Sequence, residues 1–268
     1  MDREPHHRGG GGGGEVALLI LDTGHPVRHF DRIDSTNLEA RRLADLGECG
    51  PLWLLADEQT GGRGRLGRNW VSEPGNLYAT FLFAIAEGPQ AAAQVSFVAA
   101  LAVHDSVVEL RPGLEPRIKW PNDVLIGGSK FCGVLPEVVG ADPVRIAIGC
   151  GVNIAHAPEG TPYPVTALGH GLTVAQVLAV LDQHLTHRLA QWDEGRGFSA
   201  IRQDWAARAL GLGGGVSATA GTRRVTGTFQ GLAADGALIL CEADGTLTAI
   251  HAGEVSFAEL EALRRKTS

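Results

Sequence analysis

Apolar residues fall in short, turn-bounded runs over the first half of this 268-residue chain, and their spacing switches repeatedly between strand-like and helical periods. EVALLILDTG (15–24) predicts a first strand or strand pair and VRHFDRI (27–33) a second. WLLADEQT (53–60) predicts a strand running into a glycine-rich loop, and NLYATFLFAI (76–85) another after the SEPG turn. RIKWP (117–121) reads as a strand, VLIGGSKFCGVLPEVV (124–139) as a hairpin about Gly127 and Gly128, and VRIAIGCGVNI (144–154) as a further strong strand. Helical spacing runs from Thr36 through Leu38, Leu43 and Leu46 until Gly47, with Thr36 and Glu39 placed for a capping box. An alanine-rich helix is expected over 90–109, stopped by Pro112 and Gly113, with others over 173–193 and about 198–209. Strands and helices mix without strict alternation, which predicts an α+β fold: a mixed sheet with helices packed against it.

The pattern changes after Leu210. LGLGGG marks a boundary, and short β-like runs separated by two ADG turns follow from Val216. They predict a small β-barrel over 216–262, docked on a larger unit spanning 15–210 because so short a segment buries little surface alone. Residues 1–14, polar and then pure glycine, predict a disordered tail.

Composition narrows the function classes. Apolar residues make up 44% and charged residues 20%, which argues against a disordered or fibrous chain. A net charge of -7 does not ask for nucleic acid. No uninterrupted apolar stretch approaches the roughly 20 residues of a membrane span, and the N-terminus lacks the order of a secretory signal. Cys49, Cys132, Cys150 and Cys241 are scattered without a CxxC pair, so a reducing, cytoplasmic setting is expected and structural zinc is not.

The chemistry concentrates in two motifs. GGRGRLGRNW (61–70) carries Arg63, Arg65 and Arg68 with no acid between Glu58 and Glu73, and its glycines let the backbone approach a ligand. Such a loop suits a polyanion or is a solvated basic turn; it is neither a Walker A loop nor a dinucleotide fingerprint. Trp70 either packs in the core or stacks on a planar ring. KWPND (119–123) sets Lys119, Asn122 and Asp123 at a strand end, where Asp123 could hold Mg²⁺ beside a nucleotide, or Lys119 and Asp123 could form a surface salt bridge. Lys130, alone in an apolar hairpin, is either an exposed strand lysine or a charge offsetting a carboxylate–phosphate centre. Asn153 closes a strand as a local cap or a ligand contact. Together these ask for a nucleotide, a carboxylate and surplus cations.

The motifs DSTN (34–37), GGRGRLGRNW, KWPNDVL (119–125), SKFCGVL (129–135), GCGVNI (149–154) and GEVS (253–256) stand in the order of the biotin protein ligases, and the chain resembles that family over roughly residues 28–258. The resemblance implies a catalytic domain of biotin/lipoate ligase type followed by a small SH3-like barrel. It also implies a two-step reaction: biotin and ATP give biotinyl-5'-AMP and pyrophosphate, and a lysine of a biotin carboxyl carrier protein then takes the biotinyl group. Carried over residue by residue, Ser35, Thr36, Gln59, Gly62, Arg63, Gly64, Arg65, Lys130 and Gly133 would bind biotin. Arg65, Arg68, Trp70, Asn122, Asp123 and Asn153 would bind ATP or the adenylate. Lys130, Arg65 and Lys119 would be catalytic, and Asp123 would serve Mg²⁺. About 30 residues precede DSTN, so the DNA-binding domain of bifunctional members is not expected; nor is a membrane, while a homodimer is compatible. Two departures stand out: Pro136 where an aliphatic residue is usual, and no arginine soon after Ser256. A lipoate ligase would need a longer acyl pocket, and a mere binding module would need neither Lys130 nor Asp123.

Overall fold

Alternating side chains on the central strands bury both faces of one sheet. Leu52 and Leu54 point into one apolar cluster and Trp53 and Leu55 into the other, as the two-residue pleat dictates. The computed structural model describes residues 17–64, 67–220, 223–253, 255–258 and 260. The tail expected over 1–14 and the last eight residues lie outside that set.

The large sheet has eight strands: β1 (Ala17–Ile20), β2 (Pro26–Ile33), β3 (Leu52–Gln59), β4 (Leu77–Ile85), β5 (Pro116–Lys119), β6 (Asp123–Ile126), β7 (Ser129–Ala141) and β8 (Val144–Val152). Their order is β1-β2-β3-β4-β8-β7-β6-β5. Every neighbouring pair is antiparallel except β2 and β3, which are parallel because α1 (Thr36–Asp45) carries the chain back between them. Pro136 sits on β7 beyond Gly133, the last residue paired with β6, so one side of β7 has no neighbouring strand there and the missing N–H leaves no gap in that ladder.

α1 covers one face, packing Ala40 and Ala44 on Leu52, Leu54, Leu82 and Ala147. The other face is covered by α3 (Val95–Leu110), preceded by the single turn α2 (Pro89–Ala92), and by α4 (Val174–Trp192) and α5 (Phe198–Ala207). The alanine-rich helix expected over 90–109 is thus broken at Ala93–Gln94. By length and mean hydropathy alone the Pro89–Leu110 segment would suffice to cross a membrane, although polar residues interrupt it as the sequence shows. Yet 72% of its 18-residue apolar window is buried inside the protein, the mark of an all-round apolar core helix. α4 starts with a reciprocal cap, Thr173 Oγ1 accepting from the Gln176 amide at 3.2 Å while the Gln176 side chain takes the Thr173 N–H at 2.9 Å.

Polar ties fix the helical layer. Arg188, 6% exposed, bonds Asp105 of α3 and Asp204 of α5. Burial pushes the Asp105 carboxyl up, but its His104 and Arg188 partners outweigh that and hold it below its usual value. Asp182, 1% exposed, accepts from Trp53 Nε1 at 2.7 Å, from the Thr23 hydroxyl and from His25 Nδ1 at 2.6 Å, tying α4 to β3 and the β1–β2 turn.

The C-terminal segment corrects the expected barrel. β9 (Gly215–Ala220), β10 (Arg223–Leu232), β11 (Leu238–Cys241), β12 (Leu247–Ile250) and β13 (Val255–Phe257) form an open sheet in the order β12-β11-β10-β9-β13. Its end strands β12 and β13 are four and three residues long and lie at opposite edges, so the sheet is not closed. Closure is not needed to bury its apolar side. Val216, Ala218, Val225, Phe229 and Phe257 belong to the same cluster as the main core, and a Cβ on Gly236 would lie 2.8 Å from Phe97. Trp120 Nε1 donates to Gly236 O at 3.1 Å, tying the β10–β11 turn to the residue after β5, and Ile118 of β5 exchanges bonds with Arg208 and Leu210 in the segment that leads to β9.

Candidate functional site

The N-terminus of α1 supplies a polar nook. Ser35 is the helix-capping residue by backbone position, yet its side chain makes no capping bond, and Thr36 begins the helix. The expected capping box of Thr36 with Glu39 does not form. The Thr36 hydroxyl instead meets Gln59 Oε1 at 3.1 Å, and the same oxygen takes the Thr36 N–H at 2.9 Å. Gln59 Nε2 donates to Ser72 Oγ at 3.0 Å, so one amide links β3, α1 and the loop. Below it the Thr80 hydroxyl lies 2.8 Å from Thr36 Oγ1 and 2.6 Å from Asn37 Oδ1, and Asn37 Nδ2 donates to Glu137 at 2.7 Å. A Cβ at Gly149 would stand 2.3 Å from Asn37 Oδ1, so only glycine leaves this asparagine room.

The arginine–glycine loop folds back on itself. Gly64 N donates to Arg68 O at 2.7 Å and Trp70 N to Gly62 O at 3.0 Å, setting Arg63 opposite Asn69. Arg65, between them, lies outside the described residues. The Trp70 indole lies on two glycines that face each other across β7 and β8: a Cβ on Gly151 would come within 2.5 Å of the ring, and one on Gly133 within 3.0 Å. Trp70 Nε1 is buried without a hydrogen-bond partner.

The β6–β7 hairpin brings Lys130 to this ring. Gly127 and Gly128 have φ of 57° and 81°, the two positive values that a two-residue hairpin turn needs. Just beyond, Leu125 pairs with Lys130 but Val124 with Cys132, so Phe131 is an extra residue and the bulge re-aims its neighbours. Lys130 Nζ lies 2.7 Å from Asp123 Oδ1 and 5.4 and 5.6 Å from the centres of the Trp70 and Tyr163 rings. The Lys130 side chain is 17% exposed, so it is not a solvated strand lysine. Its backbone is fixed on both sides, with Lys130 N donating to Pro164 O and Thr166 N to Lys130 O, each at 2.9 Å.

These parts wall one cavity of about 580 Å³. Of the residues singled out from sequence, Ser35, Thr36, Gln59, Arg63, Gly64, Arg68, Trp70, Lys119, Asp123, Lys130 and Gly133 line it. Gly62, Asn122 and Asn153 are not among its lining residues. Gly62 holds the loop's return strand, the Asn122 side chain donates to Val134 O, and Asn153 Nδ2 donates to Thr166 O at 3.0 Å. Asn37, Tyr78, Tyr163, Ser217, Thr219, Arg224 and Ser256 line it without having been singled out as ligand contacts. The fourth letter of DSTN could have flagged Asn37; nothing local marks Arg224, which enters from the other sheet.

The described lining carries five cations, Arg63, Arg68, Lys119, Lys130 and Arg224, against the single carboxylate of Asp123, although the whole chain is net negative. That is an anion site. Tyr78, whose hydroxyl donates to Glu73 O at 2.8 Å, is pushed up to about 12 by burial and stays neutral. Burial likewise pushes the Cys150 thiol up to about 12 and Cys132 well above its usual value, so neither is a thiolate nucleophile. Asp123, as the one described carboxylate in a cation-rich cavity, fits a Mg²⁺ held mainly by a nucleotide's phosphates. His29, Asp31 and Asp57 form a separate group outside the cavity, on the β2–β3 surface.

Residues 30–153 match the Biotin/lipoate A/B protein ligase family, and residues 211–258 match the Biotin protein ligase C terminal domain. The chain is 42% identical over 238 residues to the biotin--[acetyl-CoA-carboxylase] ligase of Paracoccus denitrificans, covering 84% of this chain and 98% of that one. It is 31% identical over 245 residues to the bifunctional ligase/repressor BirA of Bacillus subtilis, covering 87% and 74%. Among solved structures, the biotin protein ligase from Aquifex aeolicus in complex with biotin and ATP superposes with a TM-score of 0.72 at 28% identity, covering 86% of this chain and 97% of that one.

Proposed function

The chain belongs to the biotin protein ligase family, and from that premise we propose how its cavity carries out the ATP-dependent biotinylation of a carrier-protein lysine. The observation that carries the proposal is the placing of Lys130 and Asp123 in the same cavity as the Ser35–Thr36–Gln59 nook and the Arg63–Arg68–Trp70 loop. Biotin's ureido ring takes the nook, where Ser35, Thr36 and Gln59 offer hydroxyl and amide partners beside the walls of Gly133 and Gly64. Its carboxylate then points to Lys130. ATP lies under the arginine loop, its base on the Trp70 side and its phosphates among Arg68, Lys119 and Lys130; Arg65 serves there too in this reading.

In the first step a biotin carboxylate oxygen bonds the α-phosphorus and the bond to the β-phosphate bridging oxygen breaks, releasing pyrophosphate. Two anions have to meet for this, and Lys130 and Lys119 offset the charge that accumulates. Mg²⁺, held by Asp123 and the phosphates, would supply further neutralisation. In the second step the acceptor lysine's amine bonds the acyl carbon and AMP leaves, so the protein itself needs no nucleophile. The reading includes a cytoplasmic enzyme that acts on the biotin carboxyl carrier protein of a carboxylase, as a monomer or homodimer, without DNA or membrane.

The test is biotin-dependent exchange of labelled pyrophosphate into ATP with Mg²⁺ and no carrier, beside a lipoate control. Exchange with biotin alone supports the reading. Exchange with lipoate alone moves the substrate to the sister class, and silence with both overturns adenylation.

A further inference from the structure

Two strands of the large sheet carry a second group of metal-ligating side chains, outside the cavity. β2 and β3 run parallel, with Val27 opposite Trp53 and His29 opposite Leu55. Opposed residues, and those two further along, share a face. Val27, His29 and Asp31 of β2 therefore stand beside Trp53, Leu55 and Asp57 of β3. This stripe starts in the apolar core at Val27 and Trp53 and emerges into solvent at Asp31 and Asp57. At its outer end one ligand atom from each of His29, Asp31 and Asp57 lies within 4.8 Å of the other two. His29 Nε2 is already 2.8 Å from Asp57 Oδ1.

The charges here are out of balance, unlike those around them. On the same strands and in the segments that follow them, Arg28 pairs with Glu48, Arg32 with Glu58 and Arg42 with Asp34. Each of those acids meets a guanidinium. Asp31 and Asp57 instead oppose each other in the register, and like charges directly opposite are destabilising. Among the described residues Asp31 has no hydrogen-bond or ion-pair partner, and Asp57 has only the imidazole of His29. The pair lacks a cation, and the side chain set beside it is a metal ligand.

We propose that His29, Asp31 and Asp57 bind a divalent transition-metal ion, Zn²⁺ being the one their chemistry fits, and that the ion clips β2 to β3. Two carboxylates neutralise a dication, while an imidazole nitrogen favours zinc over Mg²⁺ or Ca²⁺, which take oxygen ligands. Bonds of about 2.0–2.2 Å in a tetrahedral arrangement set ligand atoms roughly 3.3 Å apart. Rotation of the two exposed aspartate side chains closes the remaining distance without moving either strand. No cysteine takes part, so this is a different chemistry from the thiolate-held structural zinc that the scattered cysteines argue against. The clip falls just ahead of the polar nook, since β2 runs on to Ser35 and Thr36 and β3 ends at Gln59. The proposal does not depend on the ligase reading.

The experiment is calorimetric titration of Zn²⁺ into the metal-stripped full chain, beside Mg²⁺, for wild type, His29→Gln, Asp31→Asn and Asp57→Asn. Each substitution weakens zinc binding by about a hundredfold or more, since losing even a hydrogen-bond partner of a metal ligand costs about 10–100-fold. Zinc raises the melting temperature of wild type and not of the variants. Co²⁺ in the same site gives the visible absorption of a four-coordinate ion, and the three substitutions abolish it. In metal-free protein Asp31→Asn melts no lower than wild type, because it relieves the opposed charges. Zinc uptake that survives all three substitutions is held elsewhere in the chain and overturns the proposal. So does uptake that Mg²⁺ matches, or that needs His29 and Asp57 but not Asp31. A metal-free Asp31→Asn protein that melts well below wild type would show the acid holding the fold in its own right, and overturns it too.

Discussion

Replacing Lys130 by Met separates catalysis from stability, because the two consequences differ by orders of magnitude. The Lys130 side chain is 17% exposed, lies 2.7 Å from Asp123 and is flanked by the Trp70 and Tyr163 rings, so its charge acts in a partly water-excluded pocket. A unit charge about 4 Å away at an effective dielectric near 20 feels roughly 4 kcal/mol. Deleting a group that stabilises developing charge costs about 3–4 kcal/mol in measured enzymes. The exchange rate at saturating ATP and biotin should therefore fall by about 10²–10³. The fold should barely notice. Asp123 is 29% exposed and can be solvated once its partner is gone, and a partly exposed pair contributes about 0–1 kcal/mol. The melting temperature should move by no more than about 4 °C. The assay is pyrophosphate exchange run beside thermal unfolding of the same preparation. A rate loss below about fivefold with an intact melt would refute the role of this charge.

Other perturbations test the scaffold and the cavity walls. Asp182→Ala strands Trp53 Nε1 and unties His25 and Thr23, and should destabilise the protein by about 3–5 kcal/mol in urea unfolding; a change under about 1 kcal/mol would contradict the tie. Gly151→Ala puts a methyl 2.5 Å from the Trp70 ring, so tryptophan fluorescence and the KM values for biotin and ATP should shift. An unaltered emission spectrum would show that the indole does not rest there. Because burial lifts the Cys150 thiol from 9.0 to about 12, the unfolded chain releases that proton first, and stability should decline as pH rises from 9 towards 12. Cys150→Ala should flatten that slope in pH-dependent unfolding, and an unchanged slope counts against it. In the native protein iodoacetamide should label the half-buried Cys49 and Cys241 before the buried Cys132 and Cys150, as peptide mapping would reveal.

Much of this architecture is local in origin, which is why the sequence predicts it. Short, nearly continuous apolar runs bounded by turn residues define β3, β4 and β8, the helical spacing after DSTN defines α1, and paired glycines at 127 and 128 define the β6–β7 turn. Each depends only on neighbours along the chain. The chemistry of GGRGRLGRNW and KWPND is also visible in isolation, since clustered cations without acids state their preference for an anion before any fold exists. Where local reasoning fails, a distant partner has overruled a local one. Thr36 abandons the cap for Gln59, 23 positions away, whose Oε1 takes both the Thr36 N–H and its hydroxyl while its Nε2 goes to Ser72.

The sequence by itself therefore determined the elements, the two-part division of the β-rich segments and the anionic class of ligand, all consequences of periodicity and composition. Only the tertiary structure decided that the C-terminal strands stay an open sheet, because the main core already covers their apolar side and the short end strands lie at opposite edges. It alone decided that Lys130 pairs with Asp123 between two rings, through one extra residue in a hairpin. It also brought Arg224 to a cavity otherwise lined by residues 61 or more positions earlier in the chain and by its own sheet. These outcomes turn on strand register and on which surfaces bury one another, and both are fixed by long-range packing that no local pattern encodes.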